Sequence, residues 1–187
     1  DVVAVSFADN GNKFIAYENY AGYYTEYNLS TPYDLTTKST GGSFSPTYDF
    51  SGSGYSSGTA KLFEFDGSGD TLYAIGPYGG LRYHNLNTSW DITTAGSIQN
   101  GGDIYGGSAK VSGSCFNDNG DKFYLATKDN KIHQYSLSTS YDLTTASKTK
   151  SNTVVGAYNQ ISDIAFNDDG TKFYAVDKGD DIVREWP

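Results

Sequence analysis

The sequence Phe166-Asn-Asp-Asp-Gly-Thr-Lys-Phe-Tyr174 decides the fold of this chain, because variants of it begin at Phe7, Phe65 and Phe116 as well. The four turn glycines are spaced by 58, 51 and 50 residues: Gly11, Gly69, Gly120 and Gly170. A hydrophobic residue, an Asx-rich turn closed by glycine and an aromatic run are typical of a β-hairpin. The chain is therefore built from repeats of about 50 residues.

A second phrase, Leu-x-Thr-x-aromatic-Asp-apolar-Thr-Thr, recurs in register with the first. Its three copies begin at Leu29, Leu86 and Leu137. The aspartate of each copy is predicted to accept a hydrogen bond from the backbone N–H two residues further on, and these residues are Asp34, Asp91 and Asp142. Two unrelated phrases in one register establish the repeat.

Each repeat predicts four antiparallel strands. The second strand is a continuous apolar run, as in 123–126, which predicts burial on both faces. The fourth strand is predicted within 43–50 and 153–158, where Gly- and Ser-rich sequence suits an outer edge. The pattern predicts an all-β fold, a β-propeller of four blade repeats in a single domain. The repeats are approximately 1–55, 56–108, 109–158 and 159–187.

The last repeat stops inside its third strand at Trp186-Pro187, so the fourth blade is predicted to lack its outer strand. Three arrangements stay open: a closed ring of four blades, a segment of a larger ring, and half of a ring completed by association. An unpaired sheet edge favours pairing with another chain. A strand supplied by a neighbour is therefore one hypothesis for a partner.

The hairpin phrase resembles the Phe-Ser/Asn-x-Asp-Gly-x-Lys-apolar-Tyr-Val signature of YVTN-type propeller repeats. The second phrase resembles repeats of bacterial surface proteins and phage structural proteins. The resemblance covers essentially the whole chain and is closest in repeats three and four. Repeat two departs from it with Phe65-Asp-Gly-Ser-Gly69, and repeat one departs with a long, Tyr-rich turn at 17–24. It implies a β-propeller but no particular function, since such repeats occur in enzymes, adhesins and scaffolds.

Composition limits the classes of function. A net charge of −9 over 187 residues argues against nucleic-acid partners, because phosphates are bound by Lys and Arg. No apolar run approaches the roughly 18 residues of a membrane helix, so no membrane insertion is expected. The single Cys115 excludes an internal disulfide. The acidic, Ser/Thr/Tyr-rich composition predicts an extracellular, cell-surface or virion-surface location, where Asn28 and Asn87 are candidate glycosylation sites.

Catalytic and metal-binding patterns are weak. The acidic hairpin turns lack the bidentate glutamate of a calcium loop, and His84 and His133 are too few for zinc. The acidic residues Asp177, Asp180 and Asp181 are interpreted as a solvated turn. We therefore expect no catalytic residue, no metal and no cofactor, and we expect that the chain is not an enzyme.

Aromatic residues are the candidate binding or interface residues. Tyrosines fall where the repeat template has short polar turns, and tryptophan ends the incomplete blade: Tyr20, Tyr23, Tyr24, Tyr78 and Trp186. Tyr and Trp rings can stack on sugars or anchor a protein interface.

The prediction of function is a non-catalytic extracellular or virion-surface scaffold that self-associates or joins a larger fibre, by strand complementation among other means. Its partners are then copies of itself or another structural protein. The alternative is a glycan- or protein-binding propeller of lectin or adhesin type. A propeller enzyme of lactonase or glycosidase type is ranked third.

Overall fold

The computed structural model describes residues 2–18, 23–46, 60–153, 160–167, 170–178 and 180–186. Within them the chain forms four antiparallel sheets of four, four, four and three strands, and each sheet keeps its strands in sequence order. These sheets are the blades of a β-propeller. The predictions of an all-β fold, four blade repeats and a three-stranded last blade are confirmed.

The strands of each blade follow one another along the chain. Sheet 1 contains β1 (Val2–Ala8), β2 (Lys13–Glu18), β3 (Tyr23–Leu29) and β4 (Lys38–Phe44). Sheet 2 contains β5 (Leu62–Phe65), β6 (Thr71–Ile75), β7 (Gly80–Asn85) and β8 (Gln99–Asp103). Sheet 3 contains β9 (Val111–Phe116), β10 (Lys122–Thr127), β11 (Lys131–Leu137) and β12 (Ala146–Thr153). Sheet 4 contains β13 (Ile161–Phe166), β14 (Phe173–Asp177) and β15 (Ile182–Trp186).

The chain divides into two compact units. Unit 1 comprises residues 1–76 and 81–101, and unit 2 comprises residues 77–80 and 102–187. Sheet 1 and most of sheet 2 therefore lie in unit 1, whereas sheets 3 and 4 lie in unit 2.

The second strand of each complete blade is largely buried on both faces, as its apolar run predicts, whereas Val176 on β14 of sheet 4 is 39% exposed. On β6, Leu72, Ala74 and Ile75 have no exposed surface, and Tyr73 is 3% exposed. Burying a side chain of this size stabilises the fold by about 1.5–3 kcal/mol. The second strand therefore makes a large hydrophobic contribution to sheet 2.

The two sequence phrases meet at one edge of each complete blade. In sheet 3, Gly120 has a φ of 66°, and its carbonyl accepts the N–H of Tyr141 at 2.7 Å. The Tyr141 ring covers the glycine so closely that a Cβ there would overlap it. The same contact joins Gly11 to Tyr33 and Gly69 to Trp90. The repeat conserves these two phrases in one register because they form one contact.

The aspartates of the second phrase cap a short turn, as predicted. Oδ1 of Asp34, Asp91 and Asp142 accepts the backbone N–H two residues on, at 2.9, 3.0 and 2.9 Å respectively. Each caps a 3₁₀ turn, at Leu35–Thr37, Ile92–Thr94 and Leu143–Thr145. Among the described residues, no helical segment has the length and apolar character needed to cross a bilayer.

The fourth strand begins earlier than the sequence predicts. It starts directly after the Thr-Thr of the second phrase in sheets 1 and 3, at Lys38 and Ala146. The prediction of 43–50 and 153–158 was wrong in its start, because exposed polar residues carry no alternating hydrophobic signal. Residues 47–50 and 154–158 lie outside the described residues.

Candidate functional site

Functional candidates in unit 2 lie at the edge where β10 turns into β11 and β14 turns into β15. We call this the hairpin edge. The segments that lead into β9 and β13 are tied to it by hydrogen bonds from Lys128 N to Lys110 O (2.8 Å) and from Lys178 N to Gln160 O (3.3 Å). The first strands of both blades therefore begin at the same edge as these hairpins.

Asp163 is the acidic residue of the first strand of sheet 4. The register of β13 against β14 shifts between Ile161 and Asp163, which marks a β-bulge. Bulges turn a side chain away from the regular alternation and are common next to active sites. Oδ1 of Asp163 accepts the N–H of Ile164 at 2.9 Å, and the residue reaches solvent.

Burial raises the pKa of the Asp163 carboxyl, and the hydrogen bond from Ile164 opposes this only in part. The residue is solvent-accessible, yet β9 packs directly against it: a Cβ on Gly113 would lie 2.7 Å from the Asp163 Cα and 2.9 Å from its Oδ1. By contrast, hydrogen bonds lower the pKa of the carboxyls of Asp34, Asp121, Asp129 and Glu185. Asp163 is thus a solvent-accessible carboxyl with a raised pKa, which makes it a candidate for proton transfer.

Sheet 3 carries a bulge at the corresponding place. The register of β9 against β10 passes from Val111 to Gly113, leaving Ser112 as the extra residue. The Ser112 hydroxyl is buried and has no hydrogen-bond partner among the described residues. Polar groups thus lie at the start of both first strands of unit 2.

A chain of hydrogen bonds crosses the β10–β11 hairpin. The Thr127 hydroxyl donates to Oδ1 of Asp129 at 2.6 Å and lies 3.3 Å from Nε2 of His133. Since the hydroxyl proton is directed to Asp129, Nε2 of His133 carries the proton of the neutral ring. Its Nδ1 is then a buried acceptor, without a hydrogen-bond partner among the described residues.

Burial lowers the pKa of His133, and the nearby Lys148 ammonium lowers it further. The ring is 4% exposed and packs against Tyr105 with ring centroids 4.8 Å apart. Burial acts to raise the pKa of Asp129, but hydrogen bonds from Lys131 and Thr127 outweigh it, so that this pKa is lowered. The group therefore consists of a neutral histidine and an ionised aspartate joined by a threonine.

One carboxylate of the acidic β14–β15 turn, that of Asp177, forms a buried ion pair. The Asp177 side chain is 2% exposed, and Oδ2 accepts the Nε–H of Arg184 at 3.2 Å. Arg184 also pairs with Asp180. The interpretation of this turn as solvated was therefore wrong for Asp177, because the side chain of Arg184, two residues beyond the strand partner of Asp177 on β15, reaches its carboxylate. No group of three His, Cys, Asp or Glu residues in the described segments is arranged to hold a metal ion.

The predicted tyrosines are not brought together. Tyr20 lies outside the described residues, and Tyr23 is 45% exposed at the start of β3. Tyr24 is fully buried and packs against Tyr17, with ring centroids 4.6 Å apart. The expectation that Tyr24 is an exposed loop residue is corrected, because strand alternation turns it into the core. Tyr78 is half-buried in the β6–β7 turn.

Trp186 lines a cavity of about 370 Å³ between sheets 3 and 4. The cavity has an aromatic wall of Tyr124, Phe166 and Phe173, and polar groups from Gln134, Lys150 and Asn152. Its size lies within the range of ligand pockets.

The equivalent space in unit 1 is occupied by protein. Gln134 of β11 corresponds to Glu26 of β3 in the repeat, and Glu26 Oε2 accepts the Ile92 N–H from the 3₁₀ turn of sheet 2 at 3.1 Å. The cavity beside Trp186 therefore corresponds to the place that the 3₁₀ turn of sheet 2 occupies in unit 1, and we do not assign it a ligand.

The two candidate glycosylation sites are accessible. Asn28 is exposed on β3, and Asn87 is exposed after β7, where its Nδ2 donates to the Thr94 carbonyl at 2.9 Å. Glycosylation of either stays a prediction.

Comparisons with known proteins give the class of fold. No family model and no curated protein matches the sequence. Among solved structures, a Bacteroides fragilis protein named as a candidate 6-phosphogluconolactonase matches 98% of this chain and 49% of its own, with a TM-score of 0.61 and 10% identity. The periplasmic gluconolactonase of Pseudomonas aeruginosa matches the same shares with a TM-score of 0.58 and 14% identity. The chain spans about half the length of these structures.

These matches correct the prediction of function. Both structures bear lactonase names, the class that the sequence analysis ranked third. The predictions of a non-catalytic scaffold and of a chain that is not an enzyme are therefore overturned. At this level of identity the likeness itself establishes the fold, and the repeat phrases misled because they encode the blade rather than its chemistry.

Two features of the candidate site are visible in the sequence but were not predicted from it. Polar residues at 127, 129, 131 and 133 alternate across a predicted hairpin, and alternate residues of a strand share a face. Asp163 interrupts an otherwise apolar first strand between Ile161 and Ile164. Neither pattern matches a known catalytic motif, so both appeared as ordinary strand residues.

Proposed function

We propose that this chain supplies blades of a propeller hydrolase that opens sugar lactones. The observation that carries the proposal is the match of 98% of the chain to two solved structures with lactonase names. Asp163 supports it, because a solvent-accessible carboxyl with a raised pKa suits general acid–base catalysis.

The chemistry needs one group that takes and returns a proton. The Asp163 carboxylate accepts a proton from water as the water oxygen bonds to the lactone carbonyl carbon. The tetrahedral intermediate then breaks its bond to the ring oxygen, and that oxygen receives the proton from Asp163. The product is the open hydroxy acid, and Asp163 is again ionised.

The neutral lactone is the better substrate of the two that the names suggest. The chain has a net charge of −9, with 13 Lys and Arg against 22 Asp and Glu. A phosphorylated substrate requires cationic groups to offset its charge. We therefore propose gluconolactone, or a sugar lactone like it, rather than its 6-phosphate.

The experiment is hydrolysis of glucono-δ-lactone followed by acid release at constant pH, with the uncatalysed rate subtracted. Asp163→Asn should lower kcat/KM by about 10²–10⁴-fold, the usual contribution of a general acid or base. Asp118→Asn, which changes an exposed carboxylate in the β9–β10 turn, is the matched control and should keep the activity.

Two further readouts separate catalysis from folding. Because burial raises the pKa of Asp163, its ionised form costs stability above that pKa, so Asp163→Asn should keep or raise Tm at neutral pH. The rate should fall on the acid side at a pH above the ordinary aspartate range. Wild-type protein that hydrolyses no lactone, or an Asp163→Asn variant of full activity, would refute the proposal.

Location and repeat type stay proposals as well. The name of one matched structure, a periplasmic protein, and the acidic, Tyr-rich composition of this chain support the proposal of an exported protein. The more specific proposal is a location at a cell or virion surface. The proposal of YVTN-type repeats is supported by the Asp-Gly-Thr-Lys-Phe-Tyr segment, and that of surface and phage proteins by the second phrase of the repeat.

A further inference from the structure

Sheets 1 and 4 present the same arrangement of four residues at the same positions of the repeat. On sheet 1 they form what we call the covered face: Lys13, Tyr17, Tyr24 and Glu26. On sheet 4 they form the open face: Lys172, Val176, Val183 and Glu185. The strand pairings establish the correspondence, since Tyr17 pairs with Tyr24 and Val176 pairs with Val183.

The covered face receives the next blade. Lys13 Nζ lies 2.6 Å from Oε1 of Glu26, and the other oxygen of that carboxylate accepts the Ile92 N–H at 3.1 Å. Tyr24 packs edge-on against Phe63, with ring centroids 5.6 Å apart. Sheet 2 is therefore held on sheet 1 by one ion-paired carboxylate and an aromatic contact.

The open face repeats the ion pair but stays in solvent. Lys172 Nζ lies 2.9 Å from Oε1 of Glu185, and the two side chains are 48% and 49% exposed. The corresponding values on the covered face are 16% for Lys13 and 4% for Glu26. Val183 is 65% exposed, whereas Tyr24 at the same position is fully buried.

The opposite face of sheet 1 carries the matching group. Val5 and Leu35 stand at the repeat positions of Phe63 and Ile92, the two residues that contact the covered face. Val5 is 58% exposed and Leu35 is 44% exposed, against 7% for Phe63 and 0% for Ile92. Two further large side chains are exposed on this face, Phe7 at 41% and Tyr33 at 63%. We call Val5, Phe7, Tyr33 and Leu35 the leading face.

We propose that the open face of one copy of this chain binds the leading face of a second copy. In that contact the Leu35 N–H donates to the Glu185 carboxylate, as the Ile92 N–H donates to Glu26. Val5 packs against Val183, as Phe63 packs against Tyr24. The interface is the blade-to-blade contact of unit 1, made between molecules.

A second copy is the occupant because each chain carries both halves of the contact. A carboxylate that accepts a backbone N–H at the start of a short turn is complementary in charge to that turn. The proposed assembly is a closed pair, in which each copy gives its open face to the leading face of the other and neither apolar face stays in water.

The first test is molar mass in solution, measured by light scattering during gel filtration and by sedimentation. The wild-type chain should have twice the 20.2 kDa mass of one copy. Glu185→Lys puts a second cation beside Lys172 and removes the acceptor, and Leu35→Asp puts a carboxylate against Glu185. Each should weaken dimerisation at least tenfold, whereas Asp118→Lys, the same charge change as Glu185→Lys but in the exposed β9–β10 turn, should not.

The second test identifies the surfaces directly. In a Cys115→Ser background, Val5→Cys and Val183→Cys variants are prepared separately, then mixed and oxidised. The mixture should give a disulfide-linked dimer that neither variant gives alone. A monomeric wild type at high concentration, a dimer insensitive to both Glu185→Lys and Leu35→Asp, or crosslinking within one variant alone would overturn the proposal. These readouts do not depend on activity, so they stand apart from the lactonase proposal.

Discussion

The covered face of sheet 1 and the open face of sheet 4 show how the same residues acquire different roles. Lys13–Glu26 and Lys172–Glu185 are both ion pairs at the same repeat position, at 2.6 and 2.9 Å. One pair is buried beneath the 3₁₀ turn of sheet 2, and the other is half exposed. The difference teaches that burial by the next blade, and not the pair itself, determines what the carboxylate contributes.

The largest expected effect compares Glu26→Ala with Glu185→Ala. Loss of Glu26 leaves Lys13 and the Ile92 N–H without their acceptor inside the blade contact, and removing one partner of a buried ion pair costs about 3–5 kcal/mol. Loss of Glu185 should leave the unfolding free energy of the isolated chain unchanged, since its pair is solvated. Urea denaturation of both variants, at protein concentrations low enough to keep the chain monomeric, checks this prediction, and equal losses would contradict it.

An intermediate effect compares two turn glycines. Gly120→Ala forces alanine into a φ of 66° and against the Tyr141 ring, which together cost about 2–4 kcal/mol. Gly170 has the same φ, but a Cβ there meets nothing within 4 Å, so Gly170→Ala should cost about 1–2 kcal/mol. The difference in urea midpoint measures the aromatic contact, and a Gly170→Ala loss as large as that of Gly120→Ala would argue against it.

The smallest effect depends on pH and compares one histidine from each unit. Burial lowers the pKa of both His84 and His133. The unfolded chain takes up protons below about pH 6.5 while both folded rings stay neutral, so their contribution to stability is full above that pH and is lost as the pH falls. His84→Gln and His133→Gln should each flatten the decline of Tm between pH 7 and pH 5. If the dependence of Tm on pH were unchanged in both variants, carboxylates and not these histidines would control the loss of stability at acid pH.

The sequence predicted correctly the features that recur in every repeat. The four copies of the hairpin phrase gave the number of blades, and the Asp of each second phrase predicted the cap of the 3₁₀ turn that follows it. Sequence reasoning failed for Tyr24, which looked like a loop residue because repeat one differs in length there, although its pairing with Tyr17 places it in the core. It also failed for function, because no residue of the hairpin edge belongs to a motif.

What the sequence by itself determined is the blade: its strands, its turn glycines and the three strands of sheet 4. These follow from local chemistry, namely a positive φ, an Asx cap and alternation along a strand. Only the tertiary structure decided which groups are exposed or share an environment. The raised pKa of Asp163, the bonds joining Asp129 to His133 and the exposure of Glu185 depend on packing between strands far apart in sequence. Whether a residue is buried depends on which blade packs against it. The repeat has nearly the same sequence in every blade, so the sequence does not show which copy is covered by another blade.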